Sequence, residues 1–406
     1  MCINHTKSIK TKHLYLIAIA LSLLSSYLNL NSLIELAQII TDNFIKVFKC
    51  VSIPIISLSI IVTFSGFRED KNIQTLWKKT MYYTVITTVI AASITAILYY
   101  MISPSNLATH NNVSAIGIDM KTANYFVYLS NLIPSNILTP FIEHNVMGVL
   151  LVSIVIGISI SFIPEKSTRK AISNFFKGAH AMFIVITSWI VKIIPVALFG
   201  FITTTLVELK SGADISGLTK YLLVVVLANL VQGFIVLPMF LYINQIKPFA
   251  MMKSMLPALS VAFFSKSSAA TLPITISTIE NNANVSSQTS RLVLPLCTSI
   301  NMNGCAAFIL ATVVYLMQNN GIAINYVTMI MWIFIATIAA IGNAGVPMGC
   351  FFLSASLLTS MNVPIEILGL ILPFYGVIDM IETALNVWSD ACVTKVIDDK
   401  VKIDSN

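Results

Sequence analysis

Long apolar runs alternate with short polar connections along the whole of this chain. A helix needs about 20 consecutive, predominantly apolar residues to cross a bilayer, and many of the runs approach or exceed that length. We predict eight spans, near residues 14–31, 44–66, 80–103, 145–163, 180–207, 219–244, 290–317 and 364–393. Two further apolar stretches, near 255–278 and 327–360, are broken at their centres by small or polar residues and proline.

The first broken stretch contains the segment "FFSKSSAATLPITIST", in which hydroxyl side chains surround Lys266 and Pro273 removes a backbone donor. Non-helical backbone at membrane depth persists only where protein or a watery cavity satisfies its polar groups. We therefore predict a re-entrant helical hairpin with Ser267 and Ser268 at its tip.

The second broken stretch contains "AAIGNAGVPMGCFF", whose three glycines and one proline prevent a continuous helix. Each hairpin precedes a full span, and this repetition is typical of inverted repeats with a binding site between them. Between the hairpins, "LCTSINMNG" places Asn301 near a glycine, which favours local unwinding and frees carbonyls as ligands. In the alternative, Asn301 only links neighbouring helices by hydrogen bonds.

A polar stripe runs along the last span within "DMIETALNVWSD". At about 100° per residue, Asp379, Thr383, Asn386 and Asp390 fall within roughly 40° of one another, with Glu382 on the flank. Such a stripe faces the protein interior and not lipid.

The acids of this stripe have few basic partners at the same depth, and Lys266 is the obvious one. Each ionised Asp at a helix centre costs about 2.5–3.5 kcal/mol. Unpaired acids therefore bind protons or mobile cations, and carboxylate, carbonyl and amide oxygens together suit a hard cation such as sodium. The alternative is that the acids only bond to neighbouring helices.

Composition excludes a soluble protein, because 56% of the residues are hydrophobic and 10% are charged, against roughly a quarter in soluble domains. The net charge of +7 is dispersed over alternate connections, which predicts cytoplasmic termini and argues against nucleic-acid binding. We interpret most of the six cysteines as packing residues. There is no phosphate loop, zinc pattern or histidine within the motifs to indicate an enzyme.

The motifs "SKSSAATLPIT", "LPLCTSINMNG", "IGNAGVPMG" and "DMIETALNVWSD" together resemble the dicarboxylate/amino acid:cation symporter family, over about residues 14–396. The resemblance implies an all-α polytopic membrane protein with eight transmembrane helices, two re-entrant hairpins and inverted repeats. It also implies a homotrimer in a bacterial inner membrane, surrounded by lipid. The single domain, 1–406, would divide into a scaffold (mainly 14–66 and 124–207) and an elevator-like transport part (mainly 80–103 and 219–396).

The resemblance also assigns site residues. Asp379 would bind a substrate amino group and Asn386 its carboxylate, with sodium as the coupling ion and no organic cofactor. The implied substrate site comprises Ser267, Ser268, Cys305, Val346, Asp379, Glu382, Thr383 and Asn386. The implied sodium ligands are Thr87, Cys297, Ser299, Asn301, Asn303, Ala340, Ile341, Asn343, Asn386 and Asp390.

Four positions depart from the acidic-substrate members of that family. Glu382 replaces an Arg that holds the substrate's side-chain carboxylate, and Cys305 replaces a Thr that assists it. Asn303 replaces an Asp that, with Thr87, would bind a third sodium ion. Lys266 replaces an Arg, so a compact ammonium group takes the place of a planar guanidinium group. The "ETALN" run is similar to the serine/threonine symporter branch.

We therefore expect sodium-coupled uptake of a small neutral amino acid such as serine or threonine, with one or two ions. One alternative keeps the fold but carries a dicarboxylate, glutamate or aspartate, cystine or a cationic amino acid, with sodium or protons. A different class of function, an ion channel or membrane sensor, is disfavoured because the polar residues form no charge rings.

Overall fold

The helices follow the hydrophobic pattern closely. The structure is a computed structural model, and it describes residues 14, 17–28, 30–65, 71–107, 134–142, 146–210, 216–343, 345, 348–361 and 363–404. Every regular element within these ranges is helical, so the predicted all-α class is confirmed. Five helical segments there are long and apolar enough to cross a membrane: Leu76–Ile102, Ser216–Ile243, Pro248–Ser265, Ser287–Asn319 and Ile367–Val401. The count of eight spans stays a prediction.

In the first half of the chain the helices are mostly long and uninterrupted. They are α1 (Ile17–Tyr27), α2 (Asn31–Ser65), α3 (Lys71–Ile102), α4 (Thr139–Ile142), α5 (Val146–Phe162) and α6 (Lys166–Lys210). Two of them begin well before the predicted apolar runs, α2 by 13 residues and α6 by 14 (44 − 31 and 180 − 166). The added segments carry polar side chains but no proline, and helix propensity does not require apolar residues.

In the second half the helices are shorter and several are interrupted. They are α7 (Ser216–Val231), a π-helical turn (Gln232–Val236), α8 (Leu237–Ile243), α9 (Pro248–Ser265), α10 (Ser268–Ala283), α11 (Ser287–Ile300), α12 (Asn303–Asn319), α13 (Tyr326–Ile341), α14 (Gly349–Ser360) and α15 (Glu366–Asp404).

The first predicted hairpin is present. In it, α9 and α10 pack against each other and are joined by Lys266 and Ser267. Lys266 adopts a left-handed conformation (φ 55°), and Ser267 caps α10 by accepting a hydrogen bond from the Ala270 amide. Pro273 lies inside α10, so our expectation that it helps to break the helix is wrong. The predicted second hairpin is interrupted as expected, between α13 and α14, and both helices contact α12. These two helices make little contact with each other among the described residues, so their packing as a hairpin stays a prediction.

The helices α2, α5 and α6 pack against one another through small residues. A Cβ added to Gly157 of α5 would lie 2.7 Å from the Phe64 Cβ, and one added to Gly200 of α6 would lie 2.9 Å from the Ala37 carbonyl oxygen. Close backbone approach through small residues is a common basis of helix association in membranes. These helices lie mostly in the segments expected to form a scaffold, although that division stays a prediction.

The centre of the second half is α12, whose residues Asn303–Met317 are all buried. It contacts α3, α7, α13, α14 and α15. At its start, Gly304 permits this packing, because an added Cβ would lie 2.8 Å from the Glu382 Cα and 2.9 Å from the Asn229 Oδ1. The absence of a side chain at Gly304 therefore allows α12 to pack closely against α15.

We predict that Gly304→Ala lowers the thermal unfolding midpoint of the detergent-solubilised protein by several degrees, because overpacking costs about 1–3 kcal/mol. Gly178→Ala is the matched control, since nothing lies within 4 Å of a Cβ added there. An equal midpoint for the two variants would contradict the close contact between α12 and α15.

Candidate functional site

The polar stripe of the last span faces the protein interior, as the sequence predicts. Asp379, Glu382, Thr383, Asn386 and Asp390 lie on the continuous helix α15, and each is between 1% and 6% exposed. The described residues contain two salt bridges, Arg291–Glu280 and Lys395–Asp399, and neither involves the acids of the stripe. Three buried carboxyl groups thus lack an ion-pair partner within the described part of the chain.

The tips of the two hairpins meet beside this stripe. The Ser267 hydroxyl donates a hydrogen bond to the Gly345 carbonyl at 2.9 Å, and the Ala269 amide donates to the same oxygen at 3.4 Å. Gly345 has φ +63°, and an added Cβ would lie 2.6 Å from the Ser268 Oγ. Glycine is therefore required by both backbone conformation and space.

A small cavity lies between the tips and α15. Its lining residues are Lys266, Ser268, Met302, Cys305, Asn343, Gly345, Asp379, Glu382, Thr383 and Asn386. The Met348 amide donates to the Asp379 Oδ2 at 3.1 Å, which ties the second hairpin to the stripe. Lys266 is the single basic residue in the lining, and its Nζ lies 3.6 Å from where a Gly376 Cβ would be.

The predicted unwinding between α11 and α12 is confirmed. Asn301 and Met302 leave the helical conformation, and the Gly304 amide donates to the Asn386 Oδ1 at 2.9 Å. The Asn301 side chain donates to the Asp390 Oδ1 at 3.0 Å. The interruption therefore brings its own backbone, the Asn301 side-chain amide and the Asp390 carboxylate together. Cys297 lies one turn before the interruption, and its carbonyl accepts from the Asn301 backbone amide.

A second cluster of amides lies next to Asp390. The Thr87 hydroxyl donates to the Asn301 Oδ1 at 3.1 Å, and the Asn303 Nδ2 donates to the same oxygen at 2.8 Å and to the Ser389 hydroxyl at 2.8 Å. Gln232 donates to the Asn303 Oδ1 at 2.7 Å and to the Thr87 carbonyl at 3.2 Å. Side-chain amides and the Thr87 hydroxyl thus supply the donors to these oxygens.

The remaining predicted sodium ligands lie where helices end. Ser299 is in the last turn of α11, while Ala340 and Ile341 end α13 and Asn343 follows two residues later. The Ala340 carbonyl accepts from the Asn343 amide at 3.0 Å, and α11 contacts α13. The predicted substrate residue Val346 lies outside the described residues.

Two cysteines in the cavity region are joined as a disulfide, Cys305 at the start of α12 and Cys350 at the start of α14. Their Cα atoms are 5.4 Å apart. The interpretation of the cysteines as packing residues is therefore wrong for this pair. The physical reason is that α14 packs against α12, which brings together sulfurs 45 positions apart in sequence.

Our sequence reasoning missed Cys350, Gln232 and Ser389 as residues of this region. Cys350 lies within the glycine-rich interruption, and Ser389 immediately precedes Asp390. Gln232 is a buried amide in an apolar span and begins the π-helical turn, a feature often found at functional sites. A search for polar side chains at the centres of apolar runs would have found Gln232.

Comparison with known proteins shows the family of the chain. The model of the sodium:dicarboxylate symporter family matches residues 13–400. The chain belongs to that family. The resemblance inferred from the motifs is thus confirmed, and membership identifies the chain as a multi-pass membrane protein with the glutamate-transporter-like elevator fold.

Several curated members of the family are similar to this chain. Neutral amino acid transporter B(0) of Mus musculus is 29% identical over 249 residues, which cover 61% of this chain and 45% of the transporter. Neutral amino acid transporter A of Homo sapiens is 30% identical over 249 residues (61% and 46%). A putative sodium-dependent excitatory amino acid transporter, glt-4 of Caenorhabditis elegans, is 30% identical over 256 residues (63% and 51%). The match spans about half the length of these relatives, which are all transporters by name.

We predict that Ser267→Ala weakens the contact between the hairpin tips. The variant loses both a helix cap and the bond to Gly345, so amide hydrogen exchange near residues 342–345 should become roughly five-fold faster. Ser286→Ala is the control, because Ser286 caps α11 in the same way without touching the second hairpin. Unchanged exchange in the Ser267 variant would contradict the bridge between the tips.

Proposed function

We propose that this protein is a secondary active symporter that couples sodium entry to the uptake of a small neutral amino acid such as serine or threonine. The observation that carries the proposal is the position of Glu382. It lies in the wall of the cavity beside Asp379 and is 1% exposed. A carboxyl group there repels an acidic substrate side chain and leaves Asp379 for the substrate ammonium group.

In this proposal the cavity binds the backbone of the amino acid. Asp379 accepts from the ammonium group, and the Asn386 amide donates to the carboxylate. Backbone groups at Ser267, Ser268 and Val346 complete the grip from the two hairpins. Thr383 lies one turn from Asp379, and its hydroxyl donates to the backbone carbonyl of Asp379 at 2.7 Å. This bond keeps the Thr383 hydroxyl near the bound substrate.

The curated relatives support the neutral class of substrate. Two of those described above are named as neutral amino acid transporters, although a third is named as an excitatory amino acid transporter. Glu382 and Cys305 favour the neutral class in this chain, because neither offers a cationic partner to a second carboxylate.

Sodium is the proposed coupling ion, and no organic cofactor is required. One ion would bind between the Asp390 carboxylate and the backbone carbonyls of Cys297, Asn301 and Asn386. A second would bind carbonyls of Ser299, Ala340, Ile341 and Asn343 where α11 and α13 end. Closely spaced carboxylate and carbonyl oxygens are the ligands that a hard monovalent cation prefers.

A third sodium site is not expected in the cluster of Thr87, Asn301 and Asn303. Amide protons of Asn303 and Gln232 already donate to the oxygens that would surround an ion there. Because Asn303 carries no negative charge, the cluster has no charge of its own to compensate the loss of hydration that a cation would suffer. We therefore propose coupling to one or two ions.

The proposal extends to the wider architecture. The transport part (mainly 80–103 and 219–396) would move against the scaffold (mainly 14–66 and 124–207) in an elevator motion, within a homotrimer. The basic residues lie in alternate connections, which favours an orientation with both termini in the cytoplasm. The proposed location is a bacterial inner membrane. In this account the protein is a carrier and not an enzyme.

The test is uptake of labelled serine into proteoliposomes with and without an inward sodium gradient. We expect accumulation that requires sodium, competition by unlabelled threonine, and little competition by aspartate. Asp379→Asn and Asp390→Asn should each abolish accumulation, since each removes a charge that a cation must neutralise. Asp399→Asn is the control on the same helix. Asp399 forms a salt bridge with Lys395 (3.0 Å between Nζ and Oδ1) and does not line the cavity.

Three outcomes would contradict the proposal. Aspartate accumulation without competition by serine would indicate an acidic substrate. Accumulation driven by a pH gradient without sodium would indicate proton coupling. Ion conductance that persists without any amino acid would favour a channel.

We predict that Asn303→Asp adds a cation to the coupling. The new carboxylate replaces an amide donor beside Asn301 and should allow about one further sodium ion to bind. At a fixed sodium gradient, the steady-state ratio of inside to outside serine should therefore rise by about one further factor of the sodium concentration ratio. Asn303→Ser is the control, because it disrupts the same hydrogen bonds without adding charge. An unchanged gradient in the Asp variant would contradict the view that charge at position 303 sets the number of ions.

A further inference from the structure

Three side chains able to bind a metal converge from three different helices beside the cavity, and two of them, Cys305 and Glu382, line it. One donor atom each of Cys305 on α12, Cys350 on α14 and Glu382 on α15 lie within 4.8 Å of one another. All three residues are buried, between 1% and 2% exposed. The cluster therefore links the second hairpin to the two helices that it covers.

The Glu382 carboxylate is incompletely bonded. Its Oε1 is buried without a hydrogen-bond partner, while its Oε2 accepts from the Tyr375 hydroxyl at a long 3.4 Å. A buried acceptor without a donor is costly. The cavity therefore presents an oxygen atom that a cation could satisfy.

The two sulfurs are bonded by amide donors. The Asn343 Nδ2 donates to the Cys305 Sγ at 2.8 Å and to the Cys350 Sγ at 3.2 Å, and the Asn386 Nδ2 donates to the Cys305 Sγ at 3.4 Å. Such donors stabilise negative charge on sulfur and orient it, as outer-shell groups do around protein-bound metals.

We propose that Cys305, Cys350 and Glu382, when the disulfide is reduced, bind one soft or borderline divalent cation of the zinc and cadmium class. Two thiolates and a carboxylate match that class and not sodium, because sulfur ligands select soft metals. Three protein ligands leave a fourth tetrahedral position for water. Binding displaces the two thiol protons to solvent.

The bound cation would hold α14 against α12 and α15. If the proposed function is correct, it would also compete with the amino acid, because Cys305 and Glu382 line the cavity that the amino acid would occupy. This consequence rests on the proposed function, but the metal site itself does not.

The experiment uses the full-length protein purified with and without a phosphine reductant. The phosphine is oxidised to its oxide with oxygen from water, and the disulfide gains two electrons and two protons. After the reductant is removed without air, cadmium chloride is added and binding is followed by thiolate-to-cadmium charge-transfer absorption. We expect six titratable thiols, matching the six cysteines of the sequence, and one cadmium ion per reduced chain. The disulfide-bonded protein should bind none.

The variants assign the ligands. Cys305→Ser and Cys350→Ser should each abolish the charge-transfer band at this site, and Asn343→Ala should weaken affinity by about 10–100-fold. Glu382→Gln should also weaken it while leaving the sulfur signal. Cys392→Ser is the matched control, because Cys392 is a buried free cysteine outside the cluster.

The proposal is wrong if the reduced wild-type protein binds no cadmium, if binding persists in Cys350→Ser, or if the disulfide cannot be reduced in the folded chain. The comparison of oxidised with reduced wild type needs no substitution, so a variant that misfolds does not remove the test. Serine uptake is measured separately. Absent uptake with intact cadmium binding would reject the proposed function alone, and the reverse would reject only the metal site.

Discussion

The rest of the site depends on the burial of carboxyl groups on one helix that form no salt bridge within the described residues. Asp379, Glu382 and Asp390 are removed from solvent along α15, and no salt bridge to them occurs in the described ranges. Ionised groups at membrane depth are expensive. Such an arrangement is stable only if protons or cations neutralise it, and it therefore links the state of the protein to what it binds.

The broken helices supply the groups that surround these acids. A continuous helix satisfies its own backbone, so only an interruption makes carbonyls and amides available for ligands. The break at Asn301 and Met302 lies beside Asp390, and the hairpin tips lie beside Asp379. The contact between Ser267 and Gly345 joins the two tips, so separating the tips breaks a hydrogen bond between groups that otherwise satisfy each other.

The hydrophobic pattern predicted the helical class, the first hairpin, the break in the second apolar stretch and the direction of the polar stripe. Each follows from the need to satisfy backbone and charge in lipid. The pattern did not predict where α2 and α6 begin, because a helix can extend through polar residues that lie outside an apolar run. It also missed the Cys305–Cys350 pair and the contact of Gln232 with Asn303, which depend on how distant helices pack. A pattern along one chain reports the period of an element but not which residues of two elements meet.

The central claim is that a cation and an amino acid neutralise the carboxyl groups of α15 together. The most direct measurement is equilibrium binding of labelled serine to the purified protein over a series of sodium concentrations, with choline to keep the ionic strength constant. The account predicts that serine affinity rises with sodium, and that serine raises sodium affinity by the same factor, as thermodynamic linkage requires. Serine binding that is equally tight in sodium and in choline would contradict it.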